Sequence, residues 1–387
     1  MNQSLLLDKI FAKEKNNKVE HLKYENLYDR IRRNYDKPTL FVDLSIVEDR
    51  CNEFKKYLPN VKPLYALKAN PHPVIVKKIK DLDVGFEVAS VSEVSLLEEN
   101  LVDLSSVFFS NPVKSFQAID IAHKKGVKFF AFDSIEELIK LNKVSKNIKP
   151  IFRIDVPNLG SDWPLTEKFG AYESDINKII NLASSNNLNI SGVTFHVGSQ
   201  CRNPENWKIA IKKSISLINK MKKLGFDLSV LNIGGGFPIP LTKPVPLFSS
   251  ISEAITEELK AIKENINIFA EPGRYLVGES GFLATEVIGI SVRNKKKWVY
   301  LDAGVFNGLI EFSQGLNYPI YSNKKGDFEP VILAGPTCDS VDIISKEIQL
   351  PSNLAEGDLL FFINAGAYTS AYSSNFNGFP LTNFEFI

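Results

Sequence analysis

Short apolar runs recur along the first three-quarters of the chain, and most are followed by a stretch whose apolar residues fall three or four apart. The runs are LYAL (64–67), GFEV (85–88), VFFS (107–110), FFAF (129–132), IFRI (151–154), GVTFH (192–196), VLNIG (230–234) and IFAEP (268–272). Runs of this length, rich in Phe, Val and Ile, predict buried strands. The intervening SVSEVSLLEEN, SFQAIDIAHKKG and NPENWKIAIKKSISLINKMKKLG predict amphipathic helices, the last two closing on a glycine. Eight such alternations over about 210 residues match the size and order of a (β/α)8 barrel, an α/β fold. After about residue 280 the rhythm changes: GFLATEVIGISVRN, KWVYLDAGV, PVILAG and DLLFFINAG are strand-like and separated by turns, without long helical patterns. The expected organisation is an N-terminal segment (1–35) packing on a second domain, a barrel (36–280) and a C-terminal β domain (281–387).

A barrel of this kind places its chemistry where strands end and loops begin on one face. The polar residues here follow that rule, because Lys68, Glu87, Asp133, Arg153, His196, Gly234 to Gly236 and Glu271 all fall at or near the C-terminal end of an expected strand. One shared site explains them together.

Lys68 stands inside PLYALKAN, and an ammonium buried without a partner is costly. Such a lysine either snorkels to solvent or, deprotonated, attacks an aldehyde to form a Schiff base. NIGGGFP (232–238) supplies three glycines at a strand end, either a tight turn or a nest of N–H groups for a phosphate; no GK[ST] follows, so it is not a Walker loop. In EPGRYLVG (271–278) Glu271 and Arg274 stand three apart around Gly273, suiting a protonated pyridine nitrogen and a phosphate, or simply each other. FHVGSQ (195–200) offers His196 as a flat face and Ser199 as a phosphate ligand, or a structural histidine. GPTCDSVDII (335–344) offers Cys338 as a proton donor and Asp339 as a carboxylate, although a free cysteine is often inert. GAYTSAYSSNFNGF (366–379) offers Tyr368 as a phosphate ligand and Phe376 as a wall, or packing aromatics.

Composition narrows the ligand class. Lys and Arg number 46 against 45 for Asp and Glu, so no overall field draws in nucleic acid or an anionic membrane, and small molecules are the expected ligands. The three cysteines are odd in number and far apart, which points to a reducing compartment, the cytoplasm. No run approaches the roughly 18 apolar residues of a membrane span. With four histidines, three of them (His21, His72, His123) in helical or loop contexts, no metal site is expected.

Taken in order, YALKAN, FEVASVSEV, WPLTEKFGA, FHVGSQ, NIGGGFP, EPGRYLV, GPTCDSVD and GAYTSAYSSNFNGF resemble the fold type III pyridoxal-phosphate-dependent decarboxylases, the ornithine, lysine and diaminopimelate decarboxylase family. CDSVD and FNGF resemble the ornithine/lysine branch, and SDWPLTEKFG its bacterial members. The resemblance implies a barrel with an alanine racemase-like second domain and pyridoxal phosphate carried on Lys68. It implies Glu271 on the pyridine nitrogen and His196 on the ring, with Ser199, Gly234, Gly235, Gly236, Gly273, Arg274 and Tyr368 around the phosphate, and Glu87 and Arg153 lining the pocket. It implies a homodimer with shared active sites, in which Cys338 protonates the carbanion left by carbon dioxide and Asp339 binds substrate, both reaching the neighbouring subunit's site, beside Phe376. The product it implies is an amine of the polyamine or a specialised pathway.

The family's ornithine and lysine members grip the distal substrate amine with an acid just after the stretch matching VFNGLIE. This chain reads LIEFSQGLNYP, with Ser313 and Gln314 there. A neutral amide holds an ammonium less strongly than a carboxylate does, so a larger, modified amino acid of a siderophore-type pathway is the alternative substrate. Two readings of other kinds are an amino-acid racemase on the same architecture, against which Glu271 and Cys338 speak, and a non-catalytic regulatory paralogue, against which the retained Lys68 speaks.

Overall fold

In the computed structural model residues 17–164, 168–262 and 266–387 are described, without the side chains of 17–24 and 26. The first 16 residues of the expected N-terminal segment and the Leu165, Thr166 and Glu167 of WPLTEKFGA lie outside the described residues. The chain divides into two units, one formed by Val47–Pro238 and Pro246–Leu276, the other by Ile239–Val245, Val277–Ile387 and the residues up to Ile46.

All eight expected strands form, as Val61–Ala66, Gly85–Val88, Phe108–Phe109, Phe129–Phe132, Lys149–Arg153, Gly192–Thr194, Val230–Asn232 and Asn267–Ala270, and close into a barrel. Every pairing is parallel, and the last strand returns to the first with Ile268 opposite Val61. Leu64, Phe108, Ile151 and Val230 fill the interior, with Phe129 and Phe269 packed on them. Phe108 stacks on Phe129 with centroids 4.3 Å apart and leans on Phe269 at 4.8 Å. At the strands' N-terminal ends Lys149 and Lys62 lay their ammonium groups over Phe129 and Phe269 at 5.3 and 5.8 Å. That end is a packed aromatic plug, which leaves the opposite rim for chemistry.

The helices start where the strand-end loops supply caps. Ser90, Ser115 and Ser134 each accept the backbone N–H three residues on, opening Val91–Glu99, Phe116–Lys124 and Ile135–Val144. Among the described residues the longest helix, Glu205–Lys223, buries Trp207, Ala210, Ile211, Ser214, Leu217, Ile218 and Met221, the spacing of three and four that the sequence shows.

The second unit is a curled sheet whose hydrogen-bonded order runs Ile320–Tyr321, Leu359–Ile363, Gly281–Arg293, Lys296–Leu301, Phe328–Ala334, Ile343–Pro351. Thr39–Val42 joins this sheet, antiparallel to Gly281–Ala284 and parallel to Asn383–Phe386. The barrel boundary expected at residue 36 is therefore corrected to about Val47. TLFV is buried at all four positions, and such a run reads alike for a barrel strand and for a strand of another sheet. Phe41 stacks on Phe282 at 5.1 Å, and Tyr28 and Ile31 of the helix Asn17–Asn34 join the same core, where Tyr28 Oη accepts the Leu359 N–H at 2.9 Å. Among the described residues no helix is long and apolar enough to cross a membrane.

Candidate active site

The first barrel strand ends at Ala66, and the chain turns through one 3-10 turn, Leu67–Ala69, with the Tyr65 hydroxyl donating to Asn70 O at 3.0 Å. This turn lifts Lys68 out of the strand. Its side chain is 45% exposed and its Nζ lies 3.1 Å from Glu87 Oε2, whose side chain is 1% exposed at the end of the neighbouring strand. Glu87 Oε1 is buried and has no hydrogen-bond partner among the described residues. Burial pushes the Glu87 carboxyl up to about 7; Lys68 opposes this and Glu271 reinforces it.

Glu271 follows the eighth strand. Its N–H donates to Gly234 O at 2.8 Å, and its Oε1 accepts two hydrogen bonds, from Ser110 Oγ at 2.6 Å and Asn232 Nδ2 at 2.7 Å. His196 lies within the same charge cluster: burial, then the charges of Arg153 and Lys68, hold its pKa well below the usual imidazole range. Its Nδ1 accepts the Gly198 N–H at 3.0 Å, so the neutral ring carries its hydrogen on Nε2. Arg153 ends its strand with the guanidinium 5.4 Å from the Phe169 ring centre; burial lowers its pKa, opposed by Glu271, Asp133 and Glu87.

The glycine run is forced by close approach. A Cβ on Gly235 would stand 2.6 Å from Glu271 O, and one on Gly236 only 2.3 Å from Gly198 O. Gly234 and Gly236 also take positive φ, +66° and +94°. Phe237 pins the run from behind, between Trp207 at 5.2 Å and Phe54 at 5.3 Å. Ser199 opens a strand, Ser199–Cys201, whose Cys201 N–H donates to Gly236 O at 2.8 Å. Gly273, where a Cβ would stand 3.1 Å from those of Ala66 and Ala69, lets the helical turn beginning at the buried Arg274 lie against the Lys68 turn.

One rim thus gathers a half-exposed amine, a buried carboxyl beside it, a carboxylate held by two donors, a neutral imidazole and a glycine loop with no room for side chains. The set fits pyridoxal phosphate: an amine for its aldehyde, an acid for its ring nitrogen, a flat uncharged ring for its face, backbone N–H groups for its phosphate. The family model described as the pyridoxal-binding domain of pyridoxal-dependent decarboxylases matches residues 44–278. The chain belongs to this family. The lysine/ornithine decarboxylase of Selenomonas ruminantium is 32% identical over 348 residues, 89% of this chain and 88% of that protein. Among solved structures, the Paramecium bursaria Chlorella virus arginine decarboxylase superposes with a TM-score of 0.87 at 30% identity, covering 94% of this chain and all (100%) of that one. The cadaverine complex of the Vibrio vulnificus lysine/ornithine decarboxylase gives 0.86 at 31% identity over 94% of this chain and 98% of that one. This family member is a pyridoxal-phosphate-dependent amino-acid decarboxylase of the ornithine/lysine type, a carboxy-lyase rather than a racemase.

Lys68, Glu87, Arg153, His196, Ser199, Gly234, Gly235, Gly236, Glu271, Gly273 and Arg274 all belong to the barrel unit of this decarboxylase. Cys338, Asp339, Gln314, Tyr368 and Phe376 belong to the sheet unit. There the exposed Cys338 donates from both N and Sγ to Asn377 Oδ1, each at 3.3 Å, and Asn377 sits at φ 56° in the turn Phe376–Gly378. Phe376 packs on Phe306 at 4.5 Å, while Asp339 Oδ1 accepts the Val341 N–H at 2.8 Å. Tyr368 is held at φ 67° with its ring 6.0 Å from that of Tyr372. Ser313 and Gln314 are exposed at the end of the turn Ile310–Gln314, whereas Glu311 is buried and takes the Tyr318 hydroxyl.

Four residues escaped the sequence reading. Ser110 and Asn232 hold Glu271, and both stand at strand ends, so the positional rule covers them although their chemistry drew no notice. Lys114 is a buried lysine anchoring the loop that carries Ser110. Asp342, 2% exposed, accepts the N–H groups of Val305 at 2.7 Å and Thr337 at 3.0 Å and the Thr337 hydroxyl at 2.7 Å, fixing the turn that bears Cys338.

Proposed function

We propose that Lys68 carries the cofactor, and that the chain works as a homodimer in the cytoplasm, releasing carbon dioxide from a basic amino acid or a larger derivative of one. The observation that carries this reading is the Lys68 Nζ to Glu87 Oε2 contact of 3.1 Å on the rim that also holds Glu271, His196 and the glycine loop. When bound, pyridoxal phosphate supplies an aldehyde for the substrate amine and a ring that accepts the electron pair left as carbon dioxide departs.

The protein's residues do the rest. Lys68 must lose a proton from Nζ to react, and Glu87, pushed up to about 7 by burial, is placed to take it on Oε2. With Oε1 already engaged by two donors, Glu271 has Oε2 to keep a pyridine nitrogen protonated. His196, neutral and with its ring fixed by Gly198 N–H, gives a flat surface that does not repel a cationic ring. The N–H groups of the glycine run, the Ser199 hydroxyl and Arg274 bind phosphate. In the dimer the exposed Cys338 thiol serves the neighbouring site, donating the proton that replaces carbon dioxide at Cα, and Asp339 meets the substrate.

The substrate's far end sets the choice within the class. The turn that by resemblance faces it ends on Ser313 and Gln314, and Glu311 is committed to Tyr318, so no carboxylate of this turn is left for a distal ammonium. Ornithine is therefore expected to be a poor substrate beside longer or conjugated amino acids, and a carbon dioxide release screen decides it; ornithine turnover equal to the best compound overturns the assignment. For the cofactor, borohydride treatment of the loaded protein followed by peptide mass mapping should fix the label on Lys68, and Lys68→Ala should lose the visible absorbance band. A label elsewhere, or undiminished decarboxylation by Lys68→Ala, refutes the scheme.

A further inference from the structure

Asn232 ends the seventh barrel strand, is 1% exposed, and uses both ends of its amide. Its Oδ1 accepts the Gly234 N–H at 2.9 Å, and its Nδ2 donates to Glu271 Oε1 at 2.7 Å. The first bond fixes the amide's orientation, since a backbone N–H needs an oxygen; the NH2 group then has to face Glu271. On the other side Ser110 Oγ donates to the same Oε1 at 2.6 Å, and the Glu271 N–H returns to Gly234 O at 2.8 Å. A carboxylate oxygen with two donors carries no proton of its own, so the remaining oxygen, Oε2, is the one left to a ligand.

We propose that Asn232 is a positioning residue that ties the glycine loop to Glu271, so that one amide sets both the phosphate-binding end and the ring-nitrogen end of the cofactor pocket, with Ser110 as its partner at the second end only. The proposal rests on the reading of this pocket as the pyridoxal phosphate site and adds how its two ends are held in register. An amide of this length is what the position requires, because it accepts on one side and donates on the other. Aspartate could still accept from Gly234 but would set a second carboxylate against Glu271, with Glu87 and Arg153 the other charges facing Glu271.

The substitutions separate the two ends. Ser110→Ala removes a Glu271 donor alone, so kcat should fall about tenfold or more while the dissociation constant for pyridoxal phosphate, titrated into the cofactor-free protein, stays within about threefold. Asn232→Ala removes both bonds, so the dissociation constant should rise about tenfold as kcat falls. Asn232→Asp keeps the Gly234 bond but puts an acceptor where the donor to Glu271 stood, so kcat should fall at least about tenfold while the dissociation constant stays within about threefold of the unsubstituted protein's. Should Asn232→Ala not fold, Asn232→Asp combined with Glu271→Gln takes its place: losses in kcat well below additive support the proposal, and additive losses overturn it. A dissociation constant for Asn232→Asp raised as far as that of Asn232→Ala, or an unchanged kcat for Ser110→Ala, overturns it too. Both results are read with the borohydride label confirmed on Lys68; loss of that label instead removes the underlying reading.

Discussion

Replacing Lys114 by methionine should cost the barrel unit about 3 kcal/mol, and the figure follows from what the side chain touches. Lys114 is 1% exposed at its side chain, with Nζ 3.1 Å from Glu137 Oε1, itself 4% exposed. The ammonium also donates to Ala131 O at 2.6 Å, Asn111 O at 2.7 Å and Pro112 O at 3.3 Å. Breaking a buried pair from one side costs roughly 3–5 kcal/mol, because it strands the other charge. Glu137 keeps Lys140, 30% exposed, on its Oε2, so the low end applies. Methionine conserves the stem's volume, leaving charge and hydrogen bonds as the difference. Urea unfolding of the cofactor-free protein at pH 7 measures it. The double variant Lys114→Met/Glu137→Leu should recover at least about 1 kcal/mol of the loss, since replacing both partners removes the stranded charge. A single variant within about 0.5 kcal/mol of the unsubstituted protein, or a double variant no better than the single, refutes the reasoning.

The same pair makes a prediction in pH. Burial lowers the Lys114 pKa to about 8 and outweighs the attraction of Glu137. In the unfolded chain a lysine holds its proton to about pH 10.4. Between about pH 8 and 10.4, unfolding therefore takes up a proton, and raising the pH stabilises the folded form. Relative to Lys114→Met, the unsubstituted protein should gain up to roughly 3 kcal/mol across that window, and a difference flat in pH from 7 to 10 counts against it.

Three further outcomes are expected. Gly235→Ala places a Cβ 2.6 Å from a backbone oxygen, Glu271 O, that cannot yield, so pyridoxal phosphate affinity should fall about tenfold or more by titration; unaltered affinity is the contrary result. Glu87 in the cofactor-free protein keeps a proton up to about pH 7, against about 4.5 in the unfolded chain, so its contribution to stability is full below pH 4.5 and declines as pH rises to 7. Urea unfolding of Glu87→Gln should lack that decline, and parallel curves for the two proteins would contradict the assignment. Asp342→Ala leaves two N–H groups and a hydroxyl unpaired beneath Cys338, so decarboxylation should fall about tenfold while pyridoxal phosphate affinity is unchanged; a matched loss of affinity argues against a role confined to the sheet unit.

The barrel was legible because each of its strands is a local signal, a short apolar run with a polar residue at its end, and the barrel fold assigns that end to chemistry. That Lys68, Glu87, His196 and Glu271 stand together on one rim could be read for the same reason, since each side chain is unusual at a strand end. Thr39–Val42 could not, because its partners Gly281–Ala284 lie far along the chain and no feature of TLFV names them. Ser110 and Asn232 obey the strand-end rule as faithfully as Lys68, yet serine and asparagine near a turn have many uses. What gives them theirs is one oxygen of Glu271, 161 residues from Ser110 and 39 from Asn232. A reacting group declares itself by its own chemistry, whereas a group that aims another is defined by closure of the barrel. Register sets that closure: Val61 beside Ile268 and Val230 beside Asn267 bring the ends of the first, seventh and eighth strands level, and Asn232 meets Glu271 only there. Residues of this second kind become visible when donors are counted on each buried carboxylate, which requires the folded chain.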